Sequence, residues 1–184
     1  MHSKFKILFR RCQEQKYLIE FDRRPQIYER IAGFVLDFSD SLILLHLLEW
    51  NTFTLNGYIV IREQDINNYR VFGKPTYWQN KAARKNRLKP INPRISIDSF
   101  EDGISSASKS FPLIAIKKEL VAENKRFIGR LAGFTSKTVT IHGLNPSAEW
   151  IKKSRFNLAE ITRIQFGGGY ERALALSAKP LRKK

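Results

Sequence analysis

Apolar positions fall into two similar series along the chain. Phe5, Leu8, Phe9 and Cys12 are spaced i, i+3, i+4, i+7, which places them on one helix face. From Tyr17 onward the apolar residues gather into short segments broken by Gly, Asn, Ser and Asp, the pattern of strands and turns. Strands are predicted near 17–22, 28–38, 41–50, 57–63 and 65–71. A second series opens with Phe100, Ile104, Ala107 and Phe111, a helix predicted to start at Asp98-Ser99-Phe100-Glu101, with an acid three residues into it. Its strands are predicted near 112–121, 126–135, 137–144, 154–158 and 160–166. Ser39-Asp40 and Ser136-Lys137 read as tight turns between second and third strands. Tyr170, Ala173, Leu174 and Ser177 predict a closing helix, and Tyr77, Lys81 and Arg84 occupy the corresponding place in the first series.

The two series read as copies of one unit. Arg30-Ile31-Ala32-Gly33-Phe34 returns as Arg130-Leu131-Ala132-Gly133-Phe134, and Glu49-Trp50 returns as Glu149-Trp150, both at an offset of 100. Tyr17-Leu18-Ile19 matches Pro112-Leu113-Ile114, and Asp65-Ile66 matches Glu160-Ile161, at an offset of 95. The change of offset is assigned to connecting segments, where a duplicated fold tolerates differences in length. This alignment pairs Gly33 with Gly133 and Trp50 with Trp150, and it leaves His46 and His142 at unrelated positions. The expected organisation is a first module at 1–80, a basic connector at 81–97, a second module at 98–178 and a basic tail at 179–184. Pro90 and Pro93 disfavour a continuous helix through the connector.

A helix followed by five short, bent strands is the element order of an Sm barrel. Glycine in the long second strand allows the sharp coil that a small barrel needs. The pattern apolar-x-Gly-x-apolar, a turn, an apolar strand, then Gly57-Tyr58-Ile59-Val60-Ile61 and Asp65-Ile66 resembles the Sm and Sm-like family. The arrangement is also similar to bacterial proteins with paired Sm-like modules. The resemblance implies a mainly β chain with short flanking helices, built as two tandem Sm-like (SH3-like) five-stranded bent barrels, and it implies RNA binding. The family places Arg-Gly or Lys-Gly just after the fourth strand, and its bacterial RNA chaperone places Lys-His there. This chain has Arg62-Glu63 and Asn157-Leu158, so only the first copy keeps a cation.

Composition narrows the class. The chain has 184 residues, 42% of them hydrophobic and 27% charged, as in a soluble globular protein. The aliphatic run Leu42–Leu45 is closed by His46, far short of the roughly 20 residues of a membrane helix. Arg10 and Arg11 interrupt the apolar stretch near the amino terminus, so no signal peptide is expected. A single cysteine, Cys12, leaves no internal disulfide or cysteine metal site. A cytoplasmic protein without membrane contact is expected. The net charge of +16 is concentrated: residues 81–94 carry Lys81, Arg84, Lys85, Arg87, Lys89 and Arg94 with no acid, and the tail carries Lys179, Arg182, Lys183 and Lys184. Such runs serve either solubility or a polyanionic partner.

Reaction chemistry finds no foothold. His2, His46 and His142 are scattered, and a zinc set is not expected. No phosphate-loop or Gly-x-Ser-x-Gly motif is present, and Gly167-Gly168-Gly169 reads as a flexible turn. Neither catalytic residues, metal nor cofactor are expected. Trp50 and Trp150 read as packing at strand ends. Tyr77 and Trp78, outside the predicted strands and beside Lys74 and Lys81, are candidates for stacking on bases. Arg84, Lys85, Arg87 and Lys89 are candidates to neutralise phosphates, Arg62 and Arg70 to extend that track, and Lys183 to contribute from the tail. The function expected is non-enzymatic nucleic-acid binding, RNA rather than DNA, mainly through phosphates with some stacking. The alternative is an assembly module that pairs through barrel edge strands as a homodimer or higher homo-oligomer.

Overall fold

A computed structural model describes residues 3–25, 27, 29–74, 76–122 and 125–180. The described residues are mainly β, with ten antiparallel strands in one open sheet and four short helices. The first half contains α1 (Ser3–Gln15), β1 (Leu18–Asp22), β2 (Arg30–Phe38), β3 (Leu42–Glu49), β4 (Thr54–Arg62), β5 (Asn68–Val71) and α2 (Trp78–Lys85). The second contains α3 (Phe100–Ser110), β6 (Ile114–Lys117), β7 (Arg126–Phe134), β8 (Thr138–Leu144), β9 (Trp150–Asn157), β10 (Arg163–Phe166) and α4 (Gly169–Ser177). A single turn of 3₁₀ helix precedes each half's last strand, at Glu63–Asp65 and Leu158–Glu160.

Strand order makes the duplication visible. The sheet runs β5-β1-β2-β3-β4-β10-β6-β7-β8-β9, so each half has its last strand beside its first, followed by the second, third and fourth. The halves meet where β4 pairs antiparallel with β10, Ile61 opposite Arg163 and Tyr58 opposite Phe166.

The registers correct the sequence alignment. Ile19 lies opposite Gly33 and Ile114 opposite Gly129, so Gly129, not Gly133, is the counterpart of Gly33. Bulges between Val35 and Asp37 and between Leu131 and Gly133 correspond at an offset of 96, which makes Gly133 the counterpart of Asp37. His46 faces Phe34 and His142 faces Arg130, so the two histidines are equivalent. Trp150 opposes Leu144 in β9 as Leu55 opposes Leu48, whereas Trp50 follows β3 in the turn. The matching Arg-x-Ala-Gly-Phe strings are therefore four residues out of structural register. Both lie on second strands, but only backbone pairing tells which glycine meets which neighbour.

Three layers of packing follow from the strand pattern. Phe9 and Cys12 of α1 meet Ile19, Phe21, Ile31, Ile43, Leu45, Ile59 and Ile61 on one face of the first half. The opposite face, with Leu36, Leu42, Leu44 and Val60, joins the core of the second half, including Ile104, Ile114, Val139 and Ile164. β3 is covered on both faces, which is why it reads as a mostly apolar run, interrupted by His46, rather than an alternating one. The closing helices pack alike: residues next to and within α2 cover Leu18, Phe34 and Phe72, and Leu174 of α4 covers Leu113, Ala115, Ile128 and Leu144. Helix α3 starts in the expected segment, and Ser99 caps it: its Oγ accepts the Asp102 backbone N–H at 3.1 Å. Among the described residues, no helix is long and apolar enough to cross a membrane.

The segment between the halves is only partly free. Helix α2 runs through Lys81, Arg84 and Lys85. Beyond it, Ile91 donates its backbone N–H to His46 Nδ1 at 3.2 Å, Asn92 Nδ2 donates to the Leu36 carbonyl at 3.3 Å, and Ile95 and Ile97 are buried in the shared core. The stretch that carries the unopposed charge is anchored at both ends.

Candidate nucleic-acid interface

Two contrasting sets of cations stand out among the described residues. One set is consumed at the junction of the halves. Arg23 is fully buried, with Nη2 2.8 Å from Glu119 Oε2 and Nη1 3.5 Å from Glu29 Oε2. Arg163 bonds Glu29 and lies 3.1 Å from Glu119 Oε1, and Thr162 Oγ1 donates to Glu119 at 2.7 Å. Burial by itself raises the Glu119 carboxyl, but the Arg163 and Arg23 guanidiniums and the Thr162 hydroxyl outweigh it and hold the group below its ordinary value. Arg62 belongs to this set: it grips Asp65 with Nε at 2.8 Å and Nη2 at 3.0 Å. The cation that ends the fourth strand of the first half is thus a joint residue, turned into the protein.

The second set has no such partners. Lys16, Arg70, Lys74, Lys81, Arg84, Lys85, Arg87 and Lys89 form none of the ion pairs found among the described residues. Three of the expected phosphate contacts, Arg84, Arg87 and Lys89, line one groove of about 400 Å³ together with Lys16, Tyr17 and Phe34. Two helix ends create it. α1 ends at Gln15 and α2 at Lys85, and each is followed by a cation in left-handed backbone, Lys16 at φ 50° and Arg87 at φ 51°. The left-handed residue turns the chain off the helix axis, and the carbonyl-rich helix ends favour the neighbouring positive charge.

The remaining expected residues lie around this groove rather than in it. Lys81 and Lys85 are exposed on α2, and Lys74 is exposed in the turn before it. Arg70 is exposed on edge strand β5, opposite Glu20. Tyr77 is half-buried, its ring edge-on to Phe72 at 5.7 Å. Trp78 is 60% exposed, backed by Phe53 at 5.7 Å and Trp50 at 6.3 Å, so it presents a supported ring to solvent. Lys183 lies outside the described residues, as does His2. Lys16 and Tyr17 escaped the sequence reading because nothing local marks them. They reach the groove only through the fold.

His46 stacks on Tyr58 at 4.6 Å, and burial pushes its pKa down to about 4, which leaves Nδ1 free to accept from Ile91 at neutral pH. A second cavity, about 310 Å³, lies at the junction beside Tyr58 and Glu171, but Glu171 is bonded to Arg126. No three His, Cys, Asp or Glu side chains among the described residues form a metal-binding group. Comparison with protein-family models, curated proteins and solved structures gives no match.

Proposed function

We propose that this chain is a pair of Sm-like barrels that binds single-stranded nucleic acid, RNA in preference to DNA, without catalysing a reaction. The observation that carries this reading is the unpaired cluster Lys16, Arg84, Arg87 and Lys89 around one groove with Tyr17 and Phe34. Unpaired cations held at fixed positions beside aromatic faces suit a phosphodiester chain with accessible bases. A solubility device would need no groove and no rings. Exposed Lys81, Lys85 and Trp78 extend the same surface.

The test replaces Arg84, Lys85, Arg87 and Lys89 together by Gln. Affinity for a 20-nucleotide oligouridylate should fall at least tenfold at moderate salt. The slope of log K against log salt should flatten by about 3, at about 0.7 per phosphate on a single strand. The melting temperature should stay within a few degrees, because solvated charges contribute little to folding. Absence of binding by the parent protein at low salt would overturn the proposal.

A second reading, self-assembly, rests on a different observation. The β4–β10 junction pairs a fourth strand with a last strand, and the equivalent strands β9 and β5 are the two open edges of the sheet. Repeating the junction between molecules would set Tyr69 opposite Arg155 and Arg70 opposite Ser154. In that register each of these cations meets an uncharged residue. Head-to-tail contacts of this kind build rings where the rotation closes and filaments where it does not, and light scattering on the purified protein distinguishes an oligomer from a monomer.

A further inference from the structure

The groove of the first half has a structural counterpart in the second. Tyr17 and Phe34 line the first; Pro112 and Arg130, their counterparts by strand register, line a cleft of about 310 Å³ in the second. Each lies beside the closing helix of its half, and each is bordered by a Lys-Pro pair that follows that helix, Lys89-Pro90 in one and Lys179-Pro180 in the other. This recurrence is independent of the string matches in the sequence, since the Lys-Pro pairs lie outside every matched segment.

The two halves then diverge on the sheet face that runs from these grooves. In the first half the row Phe34–His46–Tyr58 and the next pair Leu44–Val60 are apolar apart from His46. This face is covered, by Ile91 over His46 and by Ile95 and Ile97 in the core shared with Leu44 and Val60. In the second half the same positions hold Arg130–His142–Lys153 and Thr140–Arg155. Arg130, Lys153 and Arg155 are exposed, and none takes part in the ion pairs found among the described residues. An exposed sheet face needs polar residues, but neutral ones or mixed charges would serve; here every charge in these rows is positive. The aromatic component is also present. The Arg130 guanidinium lies 5.5 Å from the Trp150 ring centroid, the His142 ring lies 5.2 Å from it, and Trp150 Nε1 donates to the Lys179 carbonyl at 2.7 Å.

We infer that the cleft at Trp150, with the open face of β7–β9, is a second single-stranded nucleic-acid site, related to the first by the duplication. Arg130, Lys153, Arg155 and Lys179 contact phosphates, and a base enters the cleft beside Trp150. The inference rests on the nucleic-acid reading of the first groove, and one experiment separates the two. Binding of a labelled 20-nucleotide oligouridylate is measured against salt for the full chain, for the R84Q/K85Q/R87Q/K89Q variant, for an R130Q/K153Q/R155Q/K179Q variant, and for the two combined.

The second variant should lose about tenfold in affinity and about 3 units of salt slope. The combined variant should be weaker than either. A K153E/R155E variant, which leaves Arg130 and its contact with Trp150 intact, should weaken binding at least as much. A W150F variant should lose affinity for oligouridylate and keep its affinity for inorganic polyphosphate, which has the charge but no base. If the connector variant is impaired and the second variant binds within twofold of the parent, this inference fails while the first groove stands. If the parent binds nothing, both fail. Equal losses by W150F for oligouridylate and polyphosphate would overturn the base pocket.

Discussion

Gly129 and Gly133 are four residues apart on one strand and have opposite surroundings. A Cβ on Gly129 would collide with the His142 carbonyl and approach Ile141 Cγ2 to 2.6 Å, whereas a Cβ on Gly133 would meet nothing within 4 Å. A Cβ on Gly33 would meet the His46 carbonyl in the corresponding way, so the close backbone approach is a duplicated feature. Gly129→Ala should therefore destabilise the protein by about 2 kcal/mol or more, because the obstacle is backbone and cannot rotate away. Gly133 has open space but a φ of 158°, so Gly133→Ala should carry a backbone cost of about 1 kcal/mol in place of a collision, and urea titration of the two variants compares them directly. His46 supplies the residue-scale pH dependence. Its pKa is about 6.5 in the unfolded chain and about 4 in the folded one, lowered by desolvation. The unfolded state thus gains a proton, as pH falls below about 6.5, that the native state refuses. The contribution of His46 to stability should be constant above that pH and decline toward pH 4. His46→Gln should flatten the decline between pH 6.5 and 5, as followed by melting temperature.

At the scale of elements, helix α3 owes its start to one side chain. Ser99 Oγ accepts from the Asp102 backbone N–H and donates to the Asp102 carboxylate at 2.6 Å. Ser99→Ala should cost about 1 kcal/mol, which for a chain of this size lowers the melting temperature by about 2–4 °C. Helix α1 is held instead by burial of its apolar stripe, with Phe9 edge-on to Phe21 at 5.7 Å. Cys12 on that stripe has its thiol pushed up to about 11 by desolvation, which keeps it protonated and unreactive while the helix is docked. Its reaction with a thiol reagent therefore reports release of α1. The edge strands complete this level: β9 presents Lys152, Lys153 and Arg155, and such charges also discourage indiscriminate pairing of an open edge.

For the whole molecule, the halves are not beads on a string. They share a core that includes Leu44 and Val60 from one half and Ile114 and Ile164 from the other, and they share the Arg23–Glu119–Arg163 network. Neither half can lose its fold without exposing apolar surface of the other. Heating should therefore give one transition, with Cys12 reactivity and far-ultraviolet circular dichroism changing together. Glu119→Ala should cost about 3–5 kcal/mol, since it leaves two buried guanidiniums without their common acid. A variant that unfolds in two steps would show that the network, rather than the shared core, couples the halves.

Local pattern determined much of this protein: two series of one helix and five strands, the start of α3, the turns after the second strands, and the concentration of charge after residue 80. These depend on periodicity and short-range hydrogen bonding, which neighbouring residues encode. The duplication was legible too, and its outer anchors, Leu18-Ile19 with Leu113-Ile114 and Asp65-Ile66 with Glu160-Ile161, agree with the strand registers. Its middle was not. Arg30-Ile31-Ala32-Gly33-Phe34 and Arg130-Leu131-Ala132-Gly133-Phe134 look alike, yet the close approach to a facing carbonyl selects Gly129, and a one-dimensional string contains no facing carbonyl. The same limit governs charge. Arg163 and Arg84 are indistinguishable as letters. Tertiary structure set Arg163 against Glu29 and Glu119 at the junction and left Arg84 beside Lys16 and Tyr17, because whether a cation finds a distant carboxylate depends on what folding brings within 4 Å of it.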